Sequence, residues 1–206
     1  MAKKKKKFLV VVDAQNDFML PEGALYVPNA DKVIAPLQEF IHSLDPNEYE
    51  GILVTFDTHN ASTYPASAEA LQFPPHCYKG SNGWNLAVDL YLNRNNLPVP
   101  MYRLEKGVFD MWAETDLKVV SIRATEDKTD REKFFQHLRD AGVDTITVTG
   151  VAADYCVKWA IDGFVKRGFL VEVPEHLTAG IADQIDAVVA QNFGPTVSVI
   201  KASEYA

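Results

Sequence analysis

The chain has 206 residues, 47% of them hydrophobic, and a formal net charge of −8. That length is enough for one domain with a sizeable core. The acidic balance argues against a nucleic-acid binder, which carries a basic footprint, and favours a soluble protein with a small-molecule or protein partner. No stretch reaches the length of a membrane span and none is arranged as a signal peptide, so no membrane partner is expected. Its two cysteines, Cys77 and Cys156, are too few for a disulfide framework, and a reducing cytoplasm is the simpler expectation.

Lys3 to Lys7 form the one block of like charge. It reads as a solvated leader, residues 1–7 of a single domain covering 1–206, with nuclear targeting or anion binding as the sharper alternative. Phe8 to Val12 is a continuous apolar run ending at Asp13, the pattern of a buried parallel strand. Val33, Ile34, Leu37, Phe40 and Ile41 share one face of a predicted helix from about Ala30 to Ser43. A second strand, Gly51 to Phe56, ends at Asp57. The loop that follows, rich in Ser, Pro, Gly and Asn, runs through about Gly83. Loops of that length are usually functional or disordered, and its aromatics and histidines favour function.

Met101 to Leu104 reads as a third strand that delivers Glu105 and Lys106. Asp130 to Ala141 reads as a helix with Phe134, Phe135 and Leu138 inward and Gly142 as its cap. A strand Thr145–Thr149, a helix Ala153–Lys166 and a strand Phe169–Val173 follow. A helix from about Ala179 to Gln191 and a strand Thr196–Ile200 complete the pattern. Strands alternating with helices predict one α/β domain with a mainly parallel sheet covered on both faces, a three-layer α/β/α arrangement.

Open parallel sheets bind ligands beyond the carboxyl ends of their strands. Asp13, Asp57, Lys106 and Cys156 all fall at such ends. Cys156 follows an apolar strand and a glycine into the start of a helix, where the positive end of the macrodipole favours thiolate. Taken singly, Asp13 also reads as a loop cap, Lys106 as a solvated lysine and Cys156 as a small buried hydrophobe. Together a thiol, a carboxylate and an amine make a workable hydrolytic set. The lysine lowers the thiol pKa, and the aspartate takes the thiol proton and passes it to a leaving amine. Main-chain N–H groups of Ala152 and Cys156 are suited to the oxyanion.

Four blocks carry a family resemblance: Asp13-Ala14-Gln15-Asn16-Asp17-Phe18, Asp57-Thr58-His59, Glu105-Lys106-Gly107 and Gly150 through Val157. In order and spacing they resemble the nicotinamidase/pyrazinamidase family of isochorismatase-like cysteine hydrolases, over nearly the whole chain. The resemblance implies that fold, a catalytic triad of Asp13, Lys106 and Cys156, and a cis peptide at Val151-Ala152 that turns the Ala152 N–H into the oxyanion hole. It implies substrate contacts from Phe18 and Phe73, whose alternative is plain core, and from Gln15 in the first block. Trp112, soon after Lys106, is a candidate to close the pocket, with a core role as the equal alternative.

Asp57 and His59, two apart in an extended segment, place a carboxylate and an imidazole on one side. With His76 they make a reasonable set of ligands for Zn²⁺, Fe²⁺ or Mn²⁺, though such residues are also ordinary in loops. Family members add a histidine, glutamate or serine in the interval, which here offers Ser62, Ser67 and Glu69. Glu69 is taken on charge and place, while Cys77, next to His76, points away and reads as structural. The resemblance implies a divalent ion, zinc first among these, that binds the ring nitrogen of nicotinamide or holds waters beside it, and no organic cofactor. It implies hydrolysis of nicotinamide to nicotinic acid and ammonia through a thioester, acceptance of pyrazinamide, and a role in NAD salvage. A homo-oligomer is compatible with it. Three alternatives stay open: another hydrolase of the superfamily acting on a carbamoyl amide or a vinyl ether, a binding module without chemistry, and a redox-sensing thiol protein.

Overall fold

The structure is a computed structural model that describes residues 6–90 and 97–204. Its first half runs β1 (Lys6–Val12), α1 (Asn16–Met19), α2 (Asp31–His42), β2 (Tyr49–Asp57), β3 (Met101–Lys106), β4 (Lys118–Ser121) and β5 (Lys128–Asp130). The second half runs α3 (Arg131–Asp140), β6 (Val143–Val151), α4 (Lys158–Lys166), β7 (Leu170–Pro174), β8 (Thr178–Ala179), α5 (Ile185–Asn192) and β9 (Val197–Ile200). The strands form one sheet in the order β5-β4-β3-β2-β1-β6-β7-β9, with β8 paired to β6. Every pairing is parallel except β3 with β4 and β4 with β5.

β1 shows why the sheet has two covered faces. Its residues alternate, so Phe8, Val10 and Val12 enter one apolar cluster while Leu9 and Val11 enter the other. The first cluster takes in Phe134, Phe135 and Leu138 of α3, Ala160, Ile161 and Phe164 of α4, and Ile185, Val188 and Val189 of α5. The second takes in Phe18 and Met19 of α1 and Val33, Leu37 and Ile41 of α2. Each such side chain, fully buried, contributes about 1.5–3 kcal/mol. The three-layer α/β/α arrangement is therefore the one the alternation requires.

Several elements depart from the sequence expectation. Lys6 and Lys7 belong to β1 rather than to a leader. Lys6 pairs with Glu50, and Lys7 lies 2.9 Å from Glu172. Lys3 to Lys5 lie outside the described residues. The predicted third strand extends through Lys106, and β4 and β5 turn that side of the sheet antiparallel. Residues Ala153–Val157 form a π-helical turn before α4 begins, and α5 starts at Ile185, not near Ala179. At the start of α3, the Asp130 carboxylate accepts from the N–H groups of Glu132 and Lys133, a side-chain cap that fixes the helix boundary.

Candidate active site

The chain leaves β1 on one side toward β2 and β3, and on the other toward β6 and β7. The crevice at this reversal is where Asp13, Asp57, Lys106 and Cys156 meet. Gly150 makes the close approach possible. Its φ is 96°, and a Cβ there would lie 2.0 Å from the Val12 carbonyl oxygen. β6 is thereby drawn tight against the end of β1, and the turn carrying Cys156 follows at once.

Asp13 is wholly buried and sits at φ 45°. Its N–H donates to Thr55 Oγ1 at 3.2 Å, and the same hydroxyl donates to Asp13 Oδ1 at 2.6 Å. Thr55 thus fixes one carboxylate oxygen and leaves Oδ2 facing Lys106, whose Nζ is 2.8 Å away. Lys106 ends β3 directly opposite Asp57 in the parallel register. From there its Nζ reaches Cys156 Sγ at 3.5 Å and Asp57 Oδ1 at 3.6 Å.

Burial pushes the Cys156 thiol well above its ordinary pKa; Lys106 pulls it down, and Asp13 and Asp57 raise it again. The expectation of a lowered thiol pKa is therefore corrected. Desolvation outweighs the lysine, whose charge is already shared by two carboxylates, so the resting group is S–H. Burial alone would lower the pKa of Lys106, but Asp13, Cys156 and Asp57 hold it well above the usual value, so it is a cation. The cluster can move a proton between Sγ and Asp13 beside a fixed positive charge.

Next to it lie Asp57, His59, Glu69 and His76, all buried, with one ligand atom from each within 4.8 Å of the others. Asp57 Oδ2 is 3.0 Å from Nε2 of both histidines, and Glu69 Oε2 is 3.1 Å from His59 Nε2. The His76 Nδ1 lies 2.7 Å from the Pro74 carbonyl, which can only accept, so Nδ1 carries a proton and Nε2 is left as the ligand atom. Asp57 Oδ1 and both Glu69 oxygens are buried without a hydrogen bond. Two imidazoles and two such carboxylates fit a transition-metal dication, which would satisfy those oxygens. Burial works against the charge on Asp57, yet Lys106 and the histidines hold its carboxyl well below the usual range. Burial likewise disfavours protonated His59, but Asp57 and Glu69 push it up to about 9. The group is thus built to hold positive charge.

The other predicted residues divide. Phe18 packs on His76, ring centroids 5.4 Å apart, at the edge of the four-donor group. Phe73 meets Phe109 at 5.4 Å and Tyr155 at 5.5 Å, forming an aromatic cluster drawn from three separate segments. The Val151–Ala152 peptide is cis, and the Ala152 carbonyl accepts from Tyr155 and Val157 N–H. Gln15 is wholly buried and committed to the backbone. Its Oε1 accepts from Asp57 N–H at 2.8 Å, and its Nε2 donates to Asp57 O at 2.9 Å and Trp84 O at 3.0 Å. Both Nε2 hydrogens are thus committed to backbone carbonyls, and the residue braces the end of β2 at Asp57. Trp112 packs between α3 and α4, 5.2 Å from both Phe135 and Phe164, with the Arg167 guanidinium 3.6 Å over its ring. A Cβ on Gly163 would lie 1.9 Å from its Nε1, so it is fitted into the α4 face and not into the aromatic cluster.

Sequence reasoning gave no role to Thr55, Phe109, Asp154 and Tyr155, and took Tyr64 only as one of the aromatics that mark its loop as functional. Asp154 accepts from the N–H groups of Ile181, Ala182 and Asp183 at 2.8–3.2 Å, tying the loop before α5 to the Cys156 turn. Such contacts join distant segments and leave no local pattern. Asp154 and Tyr155, inside the quoted Gly150–Val157 block, are the exceptions that closeness to Cys156 points to. An open depression of about 660 Å³ lined by Phe8, Tyr102 and Phe134 touches none of these residues, so chemistry and not cavity size marks the site.

Residues 7–200 match the model of the isochorismatase domain. The chain belongs to the isochorismatase family. It is 28% identical to the nicotinamidase of Saccharomyces cerevisiae over 88% of this chain and 92% of that one. It is 26% identical to the nicotinamidase/pyrazinamidase of Mycobacterium tuberculosis, covering 84% of this chain and 87% of the relative. Among solved structures, the pyrazinamidase of Pyrococcus horikoshii in complex with zinc superposes with a TM-score of 0.67 at 26% identity, covering 95% of this chain and 99% of that one. Family membership fits the order of the four sequence blocks and the geometry into which they fold. No helix among the described residues is long and apolar enough to cross a membrane.

Proposed function

We propose that this amidohydrolase converts nicotinamide to nicotinic acid and ammonia, accepts pyrazinamide, and serves NAD salvage in the cytoplasm. The observation that carries the reading is the adjacency of two buried sets, Asp13–Lys106–Cys156 and Asp57–His59–Glu69–His76, with Asp57 in contact with both. The relatives named nicotinamidase support the same substrate.

Because the resting thiol is neutral, the first step is transfer of its proton to Asp13. The Cys156 sulfur then attacks the carboxamide carbon, and the carbonyl oxygen takes up negative charge facing the N–H groups of Ala152 and Cys156. Asp13 hands the proton to the departing amine as the C–N bond breaks, leaving a thioester and ammonia. Water attacks the thioester, Asp13 takes its proton, and as the C–S bond breaks to release nicotinic acid Asp13 returns that proton to Sγ and restores the thiol. Lys106 stays protonated throughout and offsets the charge that moves between Asp13 and Sγ. Asp57, His59, Glu69 and His76 would hold a divalent ion, zinc first, which supplies a Lewis acid for the ring nitrogen of the substrate. Phe18 and Phe73 supply aromatic faces for a flat heteroaromatic ring.

The test is ammonia release from nicotinamide by the purified protein, with Cys156→Ala and a metal-stripped sample alongside. Turnover lost in both and restored to the stripped sample by Zn²⁺, Fe²⁺ or Mn²⁺ is expected. Absence of turnover by metal-replete protein would overturn the substrate and send the search to other small amides.

A further inference from the structure

Pro74 and Pro75 precede His76, and neither has an N–H to tie the segment down. Yet this segment sets two parts of the site, the Phe73 ring and the His76 imidazole. Phe73 N–H is tied to the Glu69 carbonyl and Cys77 N–H to Asp17 at either end, and between them one hydroxyl gathers the segment. Tyr64 Oη lies 3.1 Å from the Phe73 carbonyl, 3.0 Å from the Pro74 carbonyl and 3.3 Å from His76 Nδ1. The carbonyls can only accept, so the hydroxyl proton is directed at them; the Nδ1 proton goes to the Pro74 carbonyl at 2.7 Å, with the hydroxyl oxygen beside it as a second, longer acceptor at 3.3 Å. The ring of Tyr64 also lies edge-on to both imidazoles, 4.7 Å from His59 and 5.4 Å from His76 by centroids.

We infer that Tyr64 is a positioning residue for the metal centre, its hydroxyl setting the His76 ring and the Phe73–Pro74 backbone so that Nε2 and the aromatic face are held ready together. This rests on the reading that the four donors hold a metal. The Pro74 carbonyl fixes the His76 tautomer, and the Tyr64 hydroxyl, by holding that carbonyl and flanking Nδ1, fixes the direction of the ligating lone pair; such supports commonly contribute 10–100-fold in metal affinity.

The experiment is Tyr64→Phe, which removes the hydroxyl and keeps the ring, compared with wild type by Zn²⁺ titration against a competing chelator. A fall in Zn²⁺ affinity of about 10–100-fold is expected. The thermal midpoint of the metal-free protein should stay close to wild type, and the visible spectrum of the Co²⁺-loaded protein should change. Adding Tyr64→Phe to His76→Ala should cause no further loss, because the hydroxyl acts through that histidine. Equal Zn²⁺ affinity in Tyr64→Phe and wild type overturns the role. So does an additive loss in the double variant, or weaker binding accompanied by a lowered metal-free midpoint, since both describe a purely structural tyrosine. A wild-type protein that binds no Zn²⁺ overturns the metal reading itself, and the Tyr64 role with it.

Discussion

Gln15→Met separates a substrate contact from a structural brace. Methionine matches glutamine in length but offers no strong donor or acceptor. The substitution strands the Asp57 N–H and carbonyl, both buried, and the Trp84 carbonyl, which is only partly buried. A buried backbone group left without a partner costs about 1–3 kcal/mol, so the two at Asp57 sum to about 2–6 kcal/mol. For a chain of this size that lowers the thermal midpoint by roughly 4–24 °C. The loss should appear in the metal-free protein by calorimetry or urea titration. Because Asp57 is the residue whose backbone loosens, Zn²⁺ affinity should fall as well. A glutamine that binds substrate predicts the reverse pattern, a raised KM with unchanged stability. Midpoints within about 2 °C of wild type together with a tenfold rise in KM would refute the reasoning.

Trp112→Ala should cost about 3–5 kcal/mol of stability, by loss of packing on α3 and α4, while leaving KM for nicotinamide near wild type; a changed KM at unchanged stability would return the tryptophan to the pocket. Asp154→Asn weakens charge-assisted acceptance from three N–H groups, so limited proteolysis between Gly180 and Gln184 should quicken and kcat should fall; unaltered cleavage would count against the tie. Arg167 and Arg131 hold Glu132 below its ordinary pKa of 4.5. The unfolded chain therefore binds that proton more readily, and the contribution, present above about pH 4.5, is lost as pH falls through the depressed value. With the side chain half exposed it is worth about 0.2–1 kcal/mol, and Glu132→Gln should flatten the acid side of stability against pH between urea midpoints; parallel curves would remove the pair from the account.

What was legible in the sequence follows from range. β1 could be read because five apolar residues in a row bury on both faces, and Gly142 because a helix end needs a residue tolerant of its φ of 95°. β4 and β5 could not, since Lys118-Val-Val-Ser and Lys128-Thr-Asp are short and half polar, and only pairing of β4 with β3 and of β5 with β4 makes them strands. The site residues at strand ends were legible for the same reason as β1. Glu69 was reachable through the family pattern and its charge, and it does join His59. Gln15 and Trp112 misled because composition near a motif says nothing of direction. One amide is spent on the backbone of Asp57, and one indole faces α4. The sign of the thiol pKa was misjudged for a similar reason, because sequence shows the neighbouring charge but not the depth of burial that outweighs it.

Asp57 joins the two halves of the site. Its Oδ2 faces both histidines at 3.0 Å, and its Oδ1 faces Lys106 at 3.6 Å. One carboxylate therefore serves a metal-type donor set and the cation beside the thiol. Gln15 grips the backbone of that residue, and the parallel register of β2 with β3 sets Lys106 opposite it. Nicotinamide is a molecule with the same two-ended chemistry, a ring nitrogen at one end and a carboxamide at the other. An enzyme for it needs a Lewis-acid site and a nucleophile at a fixed spacing. In this fold the spacing is set by backbone hydrogen bonds at the end of β2, so substitutions there should disturb metal affinity and turnover together, whereas those at Cys156 should disturb turnover alone.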